Sequence, residues 1–400
     1  MNLNKIRSIR GKNILFLQGP MGAFFAQLER RFSAAGAQTF RIGFNVGDYF
    51  FSAKQAYTPY RGTPDDWPEF IVLFLQEHDI DMIFLFGDCR HYQSTAIYAA
   101  KNSGIEVFVF EEGYIRPDYI TMERYGVNDY SLLSRDPAFY RDLKPKELLH
   151  PQNTETSAMK MGYSAIVYYL LGDFFSWRYP HYIHHRSFDS KKELYLLLRS
   201  AVRKYRYKFQ ERGIVDMVKG SWRKKYFFVP LQTHKDFQIL QHSIYRSVET
   251  FIIDVLRSFG EYADAHHMLV FKHHPVDRGR KDYTDFIMAE AKSVGVATRV
   301  KVLHDVHLPT LLKHARGTVT INSTVGLSSL YHKTPTLTMG NAIYDVEGLT
   351  LPASGLDTFW SEQPPVDSAL YQKFRQYLIE NTQINGSFYG KLFLDEAEYS

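Results

Sequence analysis

One cysteine, Cys89, stands in a chain of 400 residues. That excludes an intrachain disulfide and points to a reducing compartment, the cytoplasm. No stretch reaches the ~20 uninterrupted apolar residues of a membrane span. The apolar run at 14–17, behind a basic N-terminus, is too short for a signal peptide. The chain is therefore expected to be soluble or peripherally attached. Charge of one sign is also scarce. A formal net charge of +5 suits a polyanionic ligand or an anionic membrane surface and, with no matching motif, argues against nucleic acid. No Cys/His group has zinc spacing, and Gln18-Gly19-Pro20-Met21-Gly22 lacks both G-x-G-x-x-G and a P-loop lysine. Neither a metal nor a cofactor is expected.

Aromatic residues, by contrast, are plentiful, with 28 Tyr and 30 Phe. They serve cores first, but this many also fits sugar stacking or a membrane interface. Strand-like runs at 13–17, 38–43, 81–86 and 106–110 alternate with helical patterns at 24–34, 67–77 and 93–101. That rhythm predicts a parallel sheet with helices on both faces. A second series begins at Tyr226 and includes strands at 226–230, 268–271, 318–321 and 336–339 and a helix at 241–259. The resulting expectation is an α/β protein with two Rossmann-like domains, GT-B-like, and an interdomain cleft. Residues 1–136 form the first domain, 137–225 a helical, basic and aromatic middle segment, and 226–400 the second. The last helix would pack back on the first domain.

Polar clusters stand at the carboxyl ends of these strands, where open α/β sheets hold ligands. Lys272-His273-His274-Pro275 follows one strand, and Asn322-Ser323-Thr324-Val325-Gly326 follows another and opens a helix. Hydroxyls and free N–H groups at a helix start suit an anion, so the pair reads as a nucleotide-phosphate grip. Glu111-Glu112-Gly113-Tyr114-Ile115-Arg116-Pro117 offers Glu112 as a general acid/base and Arg116 as an anion holder, or else an ion pair stabilising a turn. In Gln232-Thr233-His234-Lys235-Asp236, Asp236 is either a nucleophile or a helix cap. Gly19, Asp88 and Arg90 are candidates for an acceptor side. The aromatic stretch 159–179, followed by basic residues, reads as an interfacial helix on anionic lipid or as a buried linker helix.

Taken together, the Glu111–Thr121 stretch, Val229-Pro230-Leu231-Gln232 with Asp236, the His274-Pro275 turn and the Asn322–Gly326 stretch occur in order. They resemble the capsule polysaccharide biosynthesis/export family of Gram-negative bacteria, in its KpsS (LipB) type, over about residues 12–350. The resemblance implies a retaining β-Kdo transferase that uses CMP-Kdo and adds the first Kdo to a phosphatidylglycerol lipid at the inner face of the inner membrane. Other capsule biosynthesis and export proteins would be its partners. It further implies that His274, Pro275, Ser323 and Thr324 hold CMP, that Asp236 is the nucleophile, and that Glu112 is the acid/base. Rival expectations are a non-enzymatic export adaptor, a sialyl-type transferase or a nucleotide-sugar epimerase.

Overall fold

The structure, a computed structural model, describes residues 5–6, 8–146, 150–183, 190–234, 239 and 242–394. The chain forms two α/β units, neither of them contiguous. The first comprises Met1–Leu132, Glu147–Ser190 and Tyr377–Ser400, and the second Leu133–Lys146 and Lys191–Gln376.

In the first unit the strands are β1 (Asn13–Leu17), β2 (Gln38–Gly43), β3 (Tyr57–Pro59), β4 (Met82–Phe86), β5 (Glu106–Glu112) and β6 (Tyr119–Arg124). The second contains β7 (Tyr226–Pro230), β8 (Met268–Lys272), β9 (Val300–Leu303), β10 (Gly317–Thr320) and β11 (Thr336–Thr338). The chain then returns to the first unit as β12 (Gln383–Asn385). Sheet orders are β12-β6-β5-β4-β1-β2-β3 and β11-β10-β7-β8-β9. Strands β1 to β5 are mutually parallel, as are all five of the second sheet. Each sheet reverses its order once, between β1 and β4 and between β7 and β10. Two Rossmann-like units of the kind found in GT-B-like proteins result.

Alternation of side chains across each strand explains why both sheet faces are apolar. On one face of the first sheet, Phe16 stacks on Phe84 at 5.4 Å and Phe84 on Phe108 at 5.0 Å. Helix Phe24–Ala34 covers them with Phe24, Phe25, Leu28 and Phe32. On the other face Leu15, Ile83 and Val107 meet Trp67, Ile71 and Phe74 of helix Trp67–Glu77.

Three features differ from the sequence expectation. First, β5 runs on through Glu111 and Glu112, then folds back as antiparallel β6. Gly113 permits this turn, because a Cβ there would lie 2.1 Å from the Tyr119 carbonyl oxygen. Second, β12 adds antiparallel to β6, and Gln383 Oε1 accepts from Tyr114 N at 3.0 Å. The C-terminal segment thus props the hairpin. Third, the helix expected at 241–259 is found at Val248–Tyr262, where the Ser247 side chain caps it by accepting from Thr250 N.

Arg41 and Glu29 form an ion pair at 2.7 Å, with both side chains almost completely buried. Glu29 also accepts from Ala53 N at 2.9 Å. Removing one member of such a pair strands a charge in the core. Glu29→Ala is therefore expected to cost about 3–5 kcal/mol in urea unfolding, a loss that Leu73→Ala on the exposed side of its helix should not reproduce.

Candidate functional sites at the sheet edges

In the second unit, the carboxyl ends of β7 and β10 flank the reversal of strand order, the position where open sheets take ligands. Gln232 and Asn322 join them there. Gln232 Nε2 donates to Asn322 Oδ1 at 3.0 Å, and Asn322 N donates to Gln232 Oε1 at 3.3 Å. Asn322 Nδ2 also donates to the His242 carbonyl at 3.3 Å.

Ser323 and Thr324 precede helix Val325–Tyr331. The turn uses several of its own N–H groups: Val325 N donates to Ser323 Oγ at 3.3 Å, Gly326 N to Ser323 O at 2.9 Å, and Leu327 N to Thr324 O at 3.1 Å. The Thr324 side chain makes no capping bond. Gly326 has a packing role, since a Cβ would fall 2.1 Å from the Tyr344 hydroxyl. That hydroxyl in turn donates to the Ser323 carbonyl.

After β8 the chain turns at His274-Pro275 into a short 3-10 segment, Pro275–Gly279. His274 Nδ1 accepts from Val276 N at 3.2 Å. A neutral ring in that role carries its proton on Nε2, where it is a donor. Pro275 is exposed. Lys272 and His273, expected on the donor side, point inward. Lys272 Nζ donates to the His304 carbonyl at 3.1 Å, and burial lowers its pKa. His273 is 3% exposed and accepts from Tyr283 N at 3.3 Å; burial, then the neighbouring His304, pull its pKa down to about 4.

Groups that the sequence did not single out hold these loops. Asp277, buried, accepts from both His234 N at 2.8 Å and His234 Nδ1 at 2.7 Å. It ties the His-Pro turn to the loop after β7. Asp236, two residues past His234, lies outside the described residues. His304 sits between Tyr207, stacked at 3.8 Å, and His273, stacked at 4.6 Å. Burial opposes its charge, but hydrogen bonds to Asp282 and Glu211 outweigh burial and leave its pKa raised. Asp282 is held well below the carboxylate range, chiefly by its bond to His304. His273, Asp282 and His304 come within 4.8 Å of one another. Their two rings lie parallel within 7°, so their lone pairs do not converge as tetrahedral metal ligands would. The chemistry is that of a hydrogen-bonded ionic network. The chain's Asp-x-Asp, Asp79-Ile80-Asp81, stands at the amino end of β4, where Asp81 holds Lys12 at 2.7 Å and Asn13 N at 2.8 Å.

In the first unit, Gly19 follows β1 and packs beneath Phe25, whose ring lies 2.7 Å from where a Cβ would be. Asp88, buried, accepts from Val127 N at 2.8 Å and from Cys89 Sγ at 3.0 Å. Arg90 precedes helix His91–Asn102 and lies over the Phe86 ring at 5.8 Å. Arg116 Nε donates to the Gly113 carbonyl at 3.1 Å within the hairpin. Glu112 is exposed, whereas Glu111 is partly buried on the opposite face of β5. Burial pushes the Glu111 carboxyl up to about 7, against the Glu112 N–H and Arg90, which pull the other way. A carboxyl titrating near neutrality at a strand end is suited to proton transfer. Sequence reasoning missed it because the identity of two adjacent glutamates does not reveal which one packing desolvates.

Residues 81–389 match the family described as capsule polysaccharide biosynthesis protein. The chain belongs to that family. Among relatives of this capsule biosynthesis protein, it is 40% identical over 381 residues to the capsule polysaccharide export protein KpsS of Escherichia coli, covering 95% of this chain and 98% of that one. It is 38% identical over 399 residues to the capsule polysaccharide modification protein LipB of Neisseria meningitidis serogroup B, covering 97% and 94%. Among solved structures it is similar to KpsC, a beta Kdo 2,7 transferase of Thermosulfurimonas dismutans, with a TM-score of 0.44, 14% identity and coverage of 97% and 94%.

Glu111 offers a stability test. A carboxyl whose pKa rises on folding is compatible with the folded state below its unfolded pKa near 4.5 and loses stability for it as pH climbs through 7. Glu111→Gln should thus leave unfolding nearly unchanged at about pH 4 and stabilise by on the order of 1–3 kcal/mol at about pH 9. Equal effects at both pH values in urea melts would contradict the assignment.

Proposed function

We propose that this capsule biosynthesis protein is a retaining β-Kdo transferase. It takes Kdo from CMP-Kdo and adds the first Kdo to a phosphatidylglycerol-type lipid at the cytoplasmic face of the inner membrane, starting the linker of the capsular polysaccharide. The observation that carries this reading is the clustering on the second sheet of Gln232, Asn322, Ser323 and Thr324 at the β7/β10 reversal, with the His274-Pro275 turn tied in through His234 and Asp277. Hydroxyls, amides and an imidazole N–H are the donors that a nucleotide phosphate takes. Membership of the capsule family supports the sugar-polymer context.

In this reading Asp236 attacks the anomeric carbon of Kdo, forming a glycosyl ester as the C–O bond to CMP breaks and CMP departs with the electron pair. Glu112 then takes the proton of the acceptor hydroxyl, whose oxygen displaces Asp236 from the opposite face. Two inversions restore the original stereochemistry. CMP is a good leaving group, so stabilising its phosphate matters more than protonating it. Glu111, beside Glu112 and already titrating near neutrality, is the alternative base.

Asp236→Asn should lower transfer by about three orders of magnitude or more while leaving the thermal melt unchanged. Near-normal turnover with purified CMP-Kdo and a phosphatidylglycerol analogue would remove the nucleophile assignment. In the same assay Asn322→Ala should raise KM for the donor about tenfold, the worth of one lost hydrogen bond of ~1.4 kcal/mol. The Escherichia coli relative's name, an export protein, favours a second reading: a non-enzymatic adaptor that binds capsule lipid. Failure of the wild-type chain to form any glycolipid would favour it.

A further inference from the structure

Helix Ser190–Gln210 is amphipathic in an inverted sense. Its polar side faces the protein. Arg199 donates to the carbonyls of Gly279 at 2.7 Å and Arg280 at 2.8 Å, and Arg203 to that of Arg278 at 3.0 Å. Tyr207 donates to Asp282 at 2.9 Å, and Glu193 pairs with Arg280. Gly279 comes so close that a Cβ would lie 2.2 Å from the Leu196 carbonyl oxygen. The opposite side carries Leu194, Leu198, Val202, Tyr205 and Phe209, each more than half exposed. Their spacing of four, four, three and four residues makes one continuous stripe.

Helix Ala158–Phe174, in the other unit, repeats the design. Its buried Tyr168 hydroxyl bonds to Asp48 at 3.1 Å and Asn45 at 2.6 Å. Tyr163, Ile166, Leu170 and Phe174 form its exposed stripe, and Trp177 continues it beyond the helix end at 71% exposure. A solvent-facing stripe on each of two successive helices is more apolar surface than folding alone explains.

We propose that each of these stripes, taken separately on its own unit, is a surface by which the protein binds an anionic lipid bilayer. Charge selects that occupant. The acidic groups Glu193 and Glu211 of the second helix region are turned inward, to Arg280 and to the His304 and Asp305 N–H groups. Lys204, Arg206 and Lys208 stand exposed with no carboxylate partner among the described residues. Arg212 lies over the Phe209 ring at 4.5 Å and Arg178 over Trp177 at 5.5 Å, pairing each aromatic with a cation. Apolar and aromatic side chains flanked by lysine and arginine suit the acyl–headgroup boundary, whereas protein-interface cores are depleted in lysine. No helix among the described residues is long and apolar enough to cross a membrane, so the contact is with one leaflet. The inference stands independently of the sugar-transfer reading.

The test is vesicle flotation of the full chain with phosphatidylcholine alone and with an equimolar phosphatidylcholine–phosphatidylglycerol mixture. Flotation with the anionic vesicles is expected, weakening as salt rises. Leu198→Glu/Val202→Glu and Leu170→Glu/Phe174→Glu should each reduce it about tenfold or more. Circular dichroism melts should remain unchanged, because all four side chains are exposed. Absence of flotation with either vesicle, or flotation indifferent to both double variants, overturns the proposal. So does a vesicle-free oligomer, seen by sedimentation and dissolved by the same variants, since a second copy would then cover the stripes.

Discussion

The reciprocal amide pair of Gln232 and Asn322 is the contact on which the donor-side arrangement depends. At a reversal of strand order the neighbouring connections leave in opposite directions, so the loops after β7 and β10 have no ladder to keep them together. Two side-chain hydrogen bonds replace that ladder. From this point the order spreads both ways. Asn322 leads into the Ser323 turn and the packed Tyr344, while the β7 loop continues to His234, which Asp277 fastens to the loop after β8. These side chains add to the backbone pairing of β7 with β8, which carries on to a Leu231 N–H bond to the Lys272 carbonyl at 2.9 Å, and three strand ends are thereby held in one geometry.

Behind the β8 loop lies an ionic network whose members titrate in opposite senses. His304 gains charge on folding, so its contribution is complete below its ordinary pKa and is lost as pH rises through the raised value. Asp282 and Glu211 are depressed and lose theirs as acid protonates them. The network is therefore strongest at mildly acid to neutral pH. Asp282 also accepts from Tyr207 of helix Ser190–Gln210, while Arg199 and Arg203 of that helix donate to the Gly279 and Arg278 carbonyls, so one helix serves the loop with its polar side and meets solvent with its apolar one.

Much of this was readable in the sequence. Buried parallel strands are near-continuous apolar runs, and Asn13–Leu17 and Tyr226–Pro230 announced themselves as such. The polar clusters after β7, β8 and β10 were also legible, because turn chemistry at a strand end is local. The β5–β6 hairpin was not, since it depends on one glycine's clearance and on Gln383 arriving from far along the chain. Nor could spacing tell that Lys272 and His273 point inward while His274 caps a turn, or that Glu111 is the desolvated member of its pair. The middle segment was legible as helical, basic and aromatic, but that character does not reveal which side of helix Ser190–Gln210 the protein buries.

The short strand β12 has an effect on how the molecule is made. Asn385 Nδ2 reaches the Asp118 and Gln152 carbonyls at 2.8 and 3.0 Å, and Gln383 braces Tyr114. The first unit is thus finished by residues translated after the whole second unit. A ribosome releasing this chain from the N-terminus leaves the β6 edge unsatisfied until the whole second unit has been made, a template for mispairing throughout that interval. Premature termination before Gln383 would therefore damage the first unit, and no single cut could separate the two units into self-sufficient halves.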